Sequence, residues 1–257
     1  MNLWMMKIGV TAGLVLGLSW LAEKVGPRWA GIIAGYPLGT AIVLGFYGVE
    51  FGPGFAAEAA VAALPGLVAS QALAAGYLAM LSVKRRPSLV LTLSVAVVVY
   101  CLCALALQRV EWTFAGALPV TIPATYCFAR GFRHVRDSGS IAARPLTPTA
   151  IMLRAAGASG LVLVITGLAA VLPARAAGIL AGFPTTLLPT LIIVHLAYGP
   201  APVRTMIRFF PRGLGALVTF LVAVHFLFVP LGVAAATAAG FVAATGYLGV
   251  FQRLSRA

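Results

Sequence analysis

Apolar residues run along this chain in long uninterrupted blocks, and polar residues gather between the blocks instead of alternating within them. Several blocks reach the roughly 20 residues that a helix needs to cross a bilayer. A stretch such as LTLSVAVVVYCLCALAL shows none of the alternation of a membrane β-barrel strand. The pattern predicts an all-α membrane protein with nine transmembrane helices, over 3–22, 29–48, 59–82, 88–108, 112–130, 150–172, 176–198, 211–229 and 231–251. Gly52-Pro53-Gly54, Arg85-Arg86-Pro87, Gly199-Pro200 and Pro230 disfavour helix continuation and mark joints. The first block lacks a small-residue cleavage site and reads as a retained helix, not a signal peptide.

Composition strengthens this picture. The chain has 257 residues, 61% hydrophobic and 9% charged, where a soluble domain carries about 25% charged residues. Its net charge is +13. No recognition helix, zinc pattern or basic-aromatic surface accompanies that charge, so nucleic acid is not an expected partner. Topology explains it better. With nine spans, Lys24, Arg28, Lys84, Arg85, Arg86, Arg130, Arg133, Arg136, Arg144, Arg154, Arg204, Arg208, Arg212, Arg253 and Arg256 fall on one side. Lys7, Arg109 and Arg175 fall on the other. The positive-inside rule makes the first side cytoplasmic, which places the N-terminus outside and the C-terminus inside a bacterial inner membrane.

The chain also overlays on itself at a shift of 147 residues. From Gly13 onward 16 of 41 positions are identical. Arg28 falls on Arg175, AGIIAGYP on AGILAGFP, and Gly52-Pro53 on Gly199-Pro200. Internal similarity of this kind marks transporter repeats. The expected plan is a four-helix repeat over 1–110, a linker helix and cytoplasmic loop over 111–149, and a second four-helix repeat over 150–257. An odd linker crossing would invert the second repeat relative to the first.

The segment from Lys7 to Gly52 resembles the GlpM family of small four-helix bacterial membrane proteins. The likeness rests on Lys7 and Gly35-Tyr36-Pro37, and again on Arg154 and Gly182-Phe183-Pro184. It implies a fused, duplicated four-helix module. The family carries no secure activity and lends none.

The candidate site lies at the two Gly-aromatic-Pro motifs. Proline removes a helical hydrogen bond and displaces the carbonyl four residues earlier, here Ile33 for Pro37 and Leu180 for Pro184. Freed carbonyls in hydrocarbon need partners, and Thr40, Thr185, Thr186 and Thr190 are close by. Tyr36 and Phe183 flank the breaks. The linker helix repeats the theme with Pro119, Thr121, Pro123, Thr125 and Tyr126. Broken helices near the midplane are where secondary transporters bind substrate. Lys7, Arg28, Arg154 and Arg175 are related in pairs by the repeat and are expected as charged mouths, two on each face.

Other chemistry is sparse. The acidic residues Glu23, Glu50, Glu58, Glu111 and Asp137 map to helix ends or loops, and Glu50 and Glu58 are expected on an outer loop. His195 and His225 read as packing residues. Cys101, Cys103 and Cys127 read as small apolar filler, with no disulfide or metal site. No catalytic triad, paired carboxylates or phosphate loop is present, so neither an enzyme nor a cofactor is expected. The expectation is an inner-membrane permease for a small anionic or amphipathic solute or lipid. A channel on the same scaffold and a non-transporting scaffold or accessory subunit are the alternatives. Membrane lipids are natural partners, and a homo-oligomer is compatible with the pattern.

Overall fold

The computed structural model describes residues 3–83, 88–135 and 147–254, without the side chains of residues 3–4, 14–25, 150, 154, 252 and 254. Lys84, Arg85, Arg86, Arg136, Asp137, Arg144 and Arg256, and the side chains of Glu23, Lys24 and Arg154, therefore lie outside what is described. The described residues form nine helices: α1 Leu3–Ala34, α2 Leu38–Glu50, α3 Pro53–Val83, α4 Leu89–Gln108, α5 Phe114–Phe132, α6 Pro148–Leu168, α7 Ala174–Ala181, α8 Leu187–Tyr198 and α9 Pro200–Leu254. The protein is all-α, as its apolar blocks predict.

Among the described residues five stretches are long and apolar enough to cross a membrane: Gly26–Glu50, Pro53–Val83, Leu89–Gln108, Ile151–Leu168 and Pro200–Phe251. They suit a multi-pass membrane protein. Neither the stretch expected over 3–22 nor α5 is among the five, and other predicted spans are cut or joined differently. The span expected over 176–198 is divided into α7 and α8, of 8 and 12 residues. The spans expected over 211–229 and 231–251 both fall in α9, whose backbone leaves helical geometry at Gly232 (φ 77°). A similar departure at Gly26 (φ 75°) divides α1.

Two joints share one device. Gly52 (φ 94°) and Gly199 (φ 78°) adopt left-handed backbone, which costs a residue with a Cβ about 1–2 kcal/mol. Each precedes a proline that opens the next helix, α3 or α9. Proline suits a first helical position because its missing N–H would have no partner there. Opening at Pro200 carries α9 back through Arg204 and Arg208, which lie before the predicted span of 211–229, while Arg212 stands at that span's edge.

α3 sits at the centre. It packs against α7, α4, α9 and α5, and 83% of its most apolar window is buried against 17% for α4. Its run of alanines from Ala56 to Ala63 forms helix readily and lets neighbouring backbones come close. α4 turns Val90, Val98, Leu102 and Leu105 outward, an apolar outer surface suited to lipid. Cys101 and Cys127 are also exposed and do not fill the core as expected; Cys103 is half-buried, and all three are free.

Candidate functional site

The two Gly-aromatic-Pro motifs fold alike. The Gly35 amide bonds Ile32 O at 3.1 Å and the Gly182 amide bonds Ile179 O at 3.2 Å. Tyr36 N reaches Ile33 O at 3.1 Å, and Phe183 N reaches Leu180 O at 2.9 Å. Leu38 N then meets Tyr36 O and Thr185 N meets Phe183 O, both at 2.7 Å. Each partner in the later set stands 147 positions after its counterpart. Helix stops at Ala34 and Ala181 and resumes at Leu38 and Leu187. Proline's displaced carbonyls, Ile33 and Leu180, are thus satisfied by a tightened local turn and not by threonine hydroxyls.

The hydroxyls serve the next carbonyls instead, and they do so across the two breaks. Thr40 Oγ1 donates to Ala181 O at 3.1 Å, and Thr186 Oγ1 donates to Ala34 O at 3.0 Å. Ala34 and Ala181 are the last residues of their helices, where carbonyls have no intrahelical partner. Each break therefore caps the other.

Close backbone contact seats each break on a long helix. A Cβ on Gly35 would stand 2.6 Å from Phe210 O and 2.9 Å from Gly213 Cα. A Cβ on Gly182 would stand 2.9 Å from Gly66 Cα and 3.1 Å from Ala63 O. Phe210 and Gly213 lie 147 residues after Ala63 and Gly66. The first break thus packs on α9 as the second packs on α3.

Between the breaks is a cavity of about 280 Å³ counted to its opening, of which about 10 Å³ admits water. That part holds roughly one water molecule. Tyr36, Thr40, Phe183, Pro184, Thr185 and Thr186 line it, with Ser70 and Leu67 from α3 and Phe210, Leu214 and Leu217 from α9. Gly39 and Thr40 bring the first turn of α2 to the wall. Neither α2 nor α8 carries a side-chain cap at its N-terminus. Helix N-termini present partial positive charge, although the Leu38 and Leu188 amides are taken up by Tyr36 O and Pro184 O and Pro189 has no N–H.

The aromatic residues anchor outward. Tyr36 O–H lies 2.7 Å from Thr245 Oγ1, and its ring stacks on Phe241 at 6.0 Å. Phe183 meets Tyr100 edge to face at 4.8 Å. Pro37 precedes α2, beside the cavity wall. Thr190 is buried in α8 and donates to Thr186 O at 2.7 Å.

Thr121 departs from expectation. It is buried in α5 and donates to Ala117 O of its own helix at 2.8 Å, away from the cavity. The α5 hydroxyl that reaches α3 belongs to Thr125, which accepts from Gln71 Nε2 at 3.0 Å.

The basic residues do not form four equivalent mouths. Lys7 is buried, with Nζ 2.6 Å from Glu50 Oε1 and 2.9 Å from Thr166 Oγ1. Glu50 ends α2 and is not on a solvated loop; only 15% of its side chain is exposed. A lysine this deep in apolar packing stays charged at a tolerable cost only with a carboxylate beside it. Arg175 lies 3.4 Å from the exposed Glu111. Arg28 lies over Phe209 at 5.8 Å.

Sequence reasoning missed several polar partners of α7. Tyr47 O–H donates to Ala177 O and Tyr100 O–H to Ile179 O, each at 3.1 Å. Ser70 Oγ donates to Gly182 O. Tyrosines within apolar runs are the available signal, because a buried hydroxyl requires a partner. His195 and His225 have packing roles: Nδ1 of His195 lies 2.7 Å from Tyr77 O–H, and Nδ1 of His225 lies 3.1 Å from Ala57 O. Among the described residues no His, Cys, Asp and Glu cluster is arranged to hold a metal.

No protein-family model, curated protein or solved structure matches the chain.

Proposed function

We propose that this chain is an inner-membrane transporter, an inverted-repeat permease for a small anionic or amphipathic solute or lipid. The carrying observation is the reciprocal packing of the two breaks. Gly35 meets Gly213 as Gly182 meets Gly66, and both relations preserve the 147-residue shift. A two-fold relation produces such swapped contacts. Nine crossings, as the sequence predicts, with an odd linker helix among them, would place that axis in the membrane plane. The same count and the distribution of basic residues put the N-terminus outside and the C-terminus in the cytoplasm. A duplicated GlpM-like module is the origin most consistent with the two motifs.

The anionic preference rests on the cavity's chemistry. The cavity is bordered by the N-terminal ends of two half-helices, which suit negative charge at the midplane, while the hydroxyls of Thr40, Thr186 and Ser70 are already donated to carbonyls. The small cavity corresponds to an occluded state, and rocking of one repeat against the other would open it to either face. This reading assigns no catalytic step to the protein.

Counterflow of anionic solutes in proteoliposomes tests the proposal. A carrier gives saturable exchange without single-channel current. Single-channel currents would establish the channel alternative. Absence of both, with a stable co-purifying partner, would establish the scaffold alternative.

A further inference from the structure

Away from the cavity, three arginines gather round one aromatic ring. The guanidinium carbons of Arg212, Arg208 and Arg28 lie 4.5, 5.6 and 5.8 Å from the centroid of Phe209. Arg208 and Arg212 are one helical turn apart on α9, and Arg204 precedes them by another turn. Like charges at this spacing oppose helix formation, and both Arg208 and Arg28 repel the charge on Arg212.

The partners found here do not neutralise α9's charges. Arg204 Nη2 donates to Leu81 O at 2.6 Å and Arg208 Nη1 to Val135 O at 2.9 Å. Both acceptors are neutral carbonyls. Among the described residues no carboxylate pairs with Arg208 or Arg212. Arg208 Nε is buried and has no acceptor. A buried N–H without an acceptor is costly, and an anion beside Arg208 would supply one.

We propose that Arg208 and Arg212, with Arg28 beside them, bind a phosphate group presented by an anionic phospholipid headgroup. Guanidinium forks match phosphate oxygens in bidentate geometry. Arg208 is held by the Val135 carbonyl, which leaves its Nε to complete the site. Trp29 adjoins Arg28 and is 38% exposed, as suits a residue at the membrane–water interface. Basic pockets between membrane helices are a known means of holding acidic headgroups. Free phosphate shares this chemistry but lacks acyl chains to hold it beside Trp29. The site stands apart from the cavity, and the inference holds whether or not the chain transports.

The test uses the full chain in neutral detergent. Phosphatidylglycerol, phosphatidylcholine and inorganic phosphate are added separately, and thermal unfolding is followed. Phosphatidylglycerol is expected to raise Tm, and phosphatidylcholine and inorganic phosphate to leave it little changed. The Arg208→Gln/Arg212→Gln variant is expected to lose the shift, while Arg253→Gln retains it. Arg212→Lys keeps the charge but loses the fork, and is expected to keep the fold with a smaller shift. A shift of equal size with inorganic phosphate would overturn the headgroup assignment. No phosphatidylglycerol shift in the wild-type protein, or a full shift in the double variant, would overturn the site itself. Should the double variant fail to fold, an undiminished shift in Arg212→Lys would overturn the proposed fork contact.

Discussion

Lys7 Nζ stands 2.6 Å from Glu50 Oε1, joining the first turns of α1 to the last residue of α2 where both are shielded from solvent. Thr166 of α6 completes the contact. Removing one member of such a pair leaves an uncompensated charge and costs about 3–5 kcal/mol. Glu50→Gln is expected to destabilise the protein by that order. Lys7→Met combined with Glu50→Leu is expected to recover most of the loss. Unfolding of the single and double variants in detergent checks this.

The backbone contact of each break with its supporting helix predicts a position-dependent glycine effect. Gly35→Ala places a methyl 2.6 Å from a carbonyl oxygen, and Gly182→Ala places one 2.8 Å from the Gly66 carbonyl carbon. Backbone must shift in each, at about 1–3 kcal/mol. Gly45→Ala meets nothing within 4 Å and is expected to be stabilising by up to about 1 kcal/mol through helix propensity. Comparing the three unfolding midpoints separates packing from propensity.

The crossed hydroxyl caps should behave as a matched set. Thr40→Val and Thr186→Val each leave a helix-ending carbonyl, Ala181 or Ala34, without its donor. A loss of about 1–3 kcal/mol is expected for each. Thr121→Val, whose hydroxyl only returns to its own helix, is expected to lose less. The same unfolding measurement distinguishes them.

Much of the site could be read along the chain because its cause is local. Gly-Tyr-Pro and Gly-Phe-Pro interrupt helices wherever they fall in an apolar run, and the breaks appear at both. Gly52-Pro53 and Gly199-Pro200 were equally visible as joints. The capping pattern was less accessible. A proline identifies Ile33 O as displaced, but whether the next amide or a distant threonine satisfies it depends on how the turn closes. The Lys7–Glu50 pair was hidden for a different reason. Glu50 stands beside a Gly-Pro joint and resembles a loop residue until α2 and α1 are brought together. Arg204, Arg208 and Arg212 resembled topology charges because they precede or open the predicted span of 211–229, although Pro200 starts the helix earlier.

The central claim is that the two breaks face a path that opens to water. The direct measurement replaces Cys101, Cys103 and Cys127, introduces Thr40→Cys or Thr186→Cys singly, and follows reaction with a membrane-impermeant thiol reagent from each side. Transport by rocking repeats predicts labelling at both positions, with access that differs between the two faces and changes when substrate is present. If neither position labels from either side while loop controls do, the breaks are packing kinks and the permease account is contradicted.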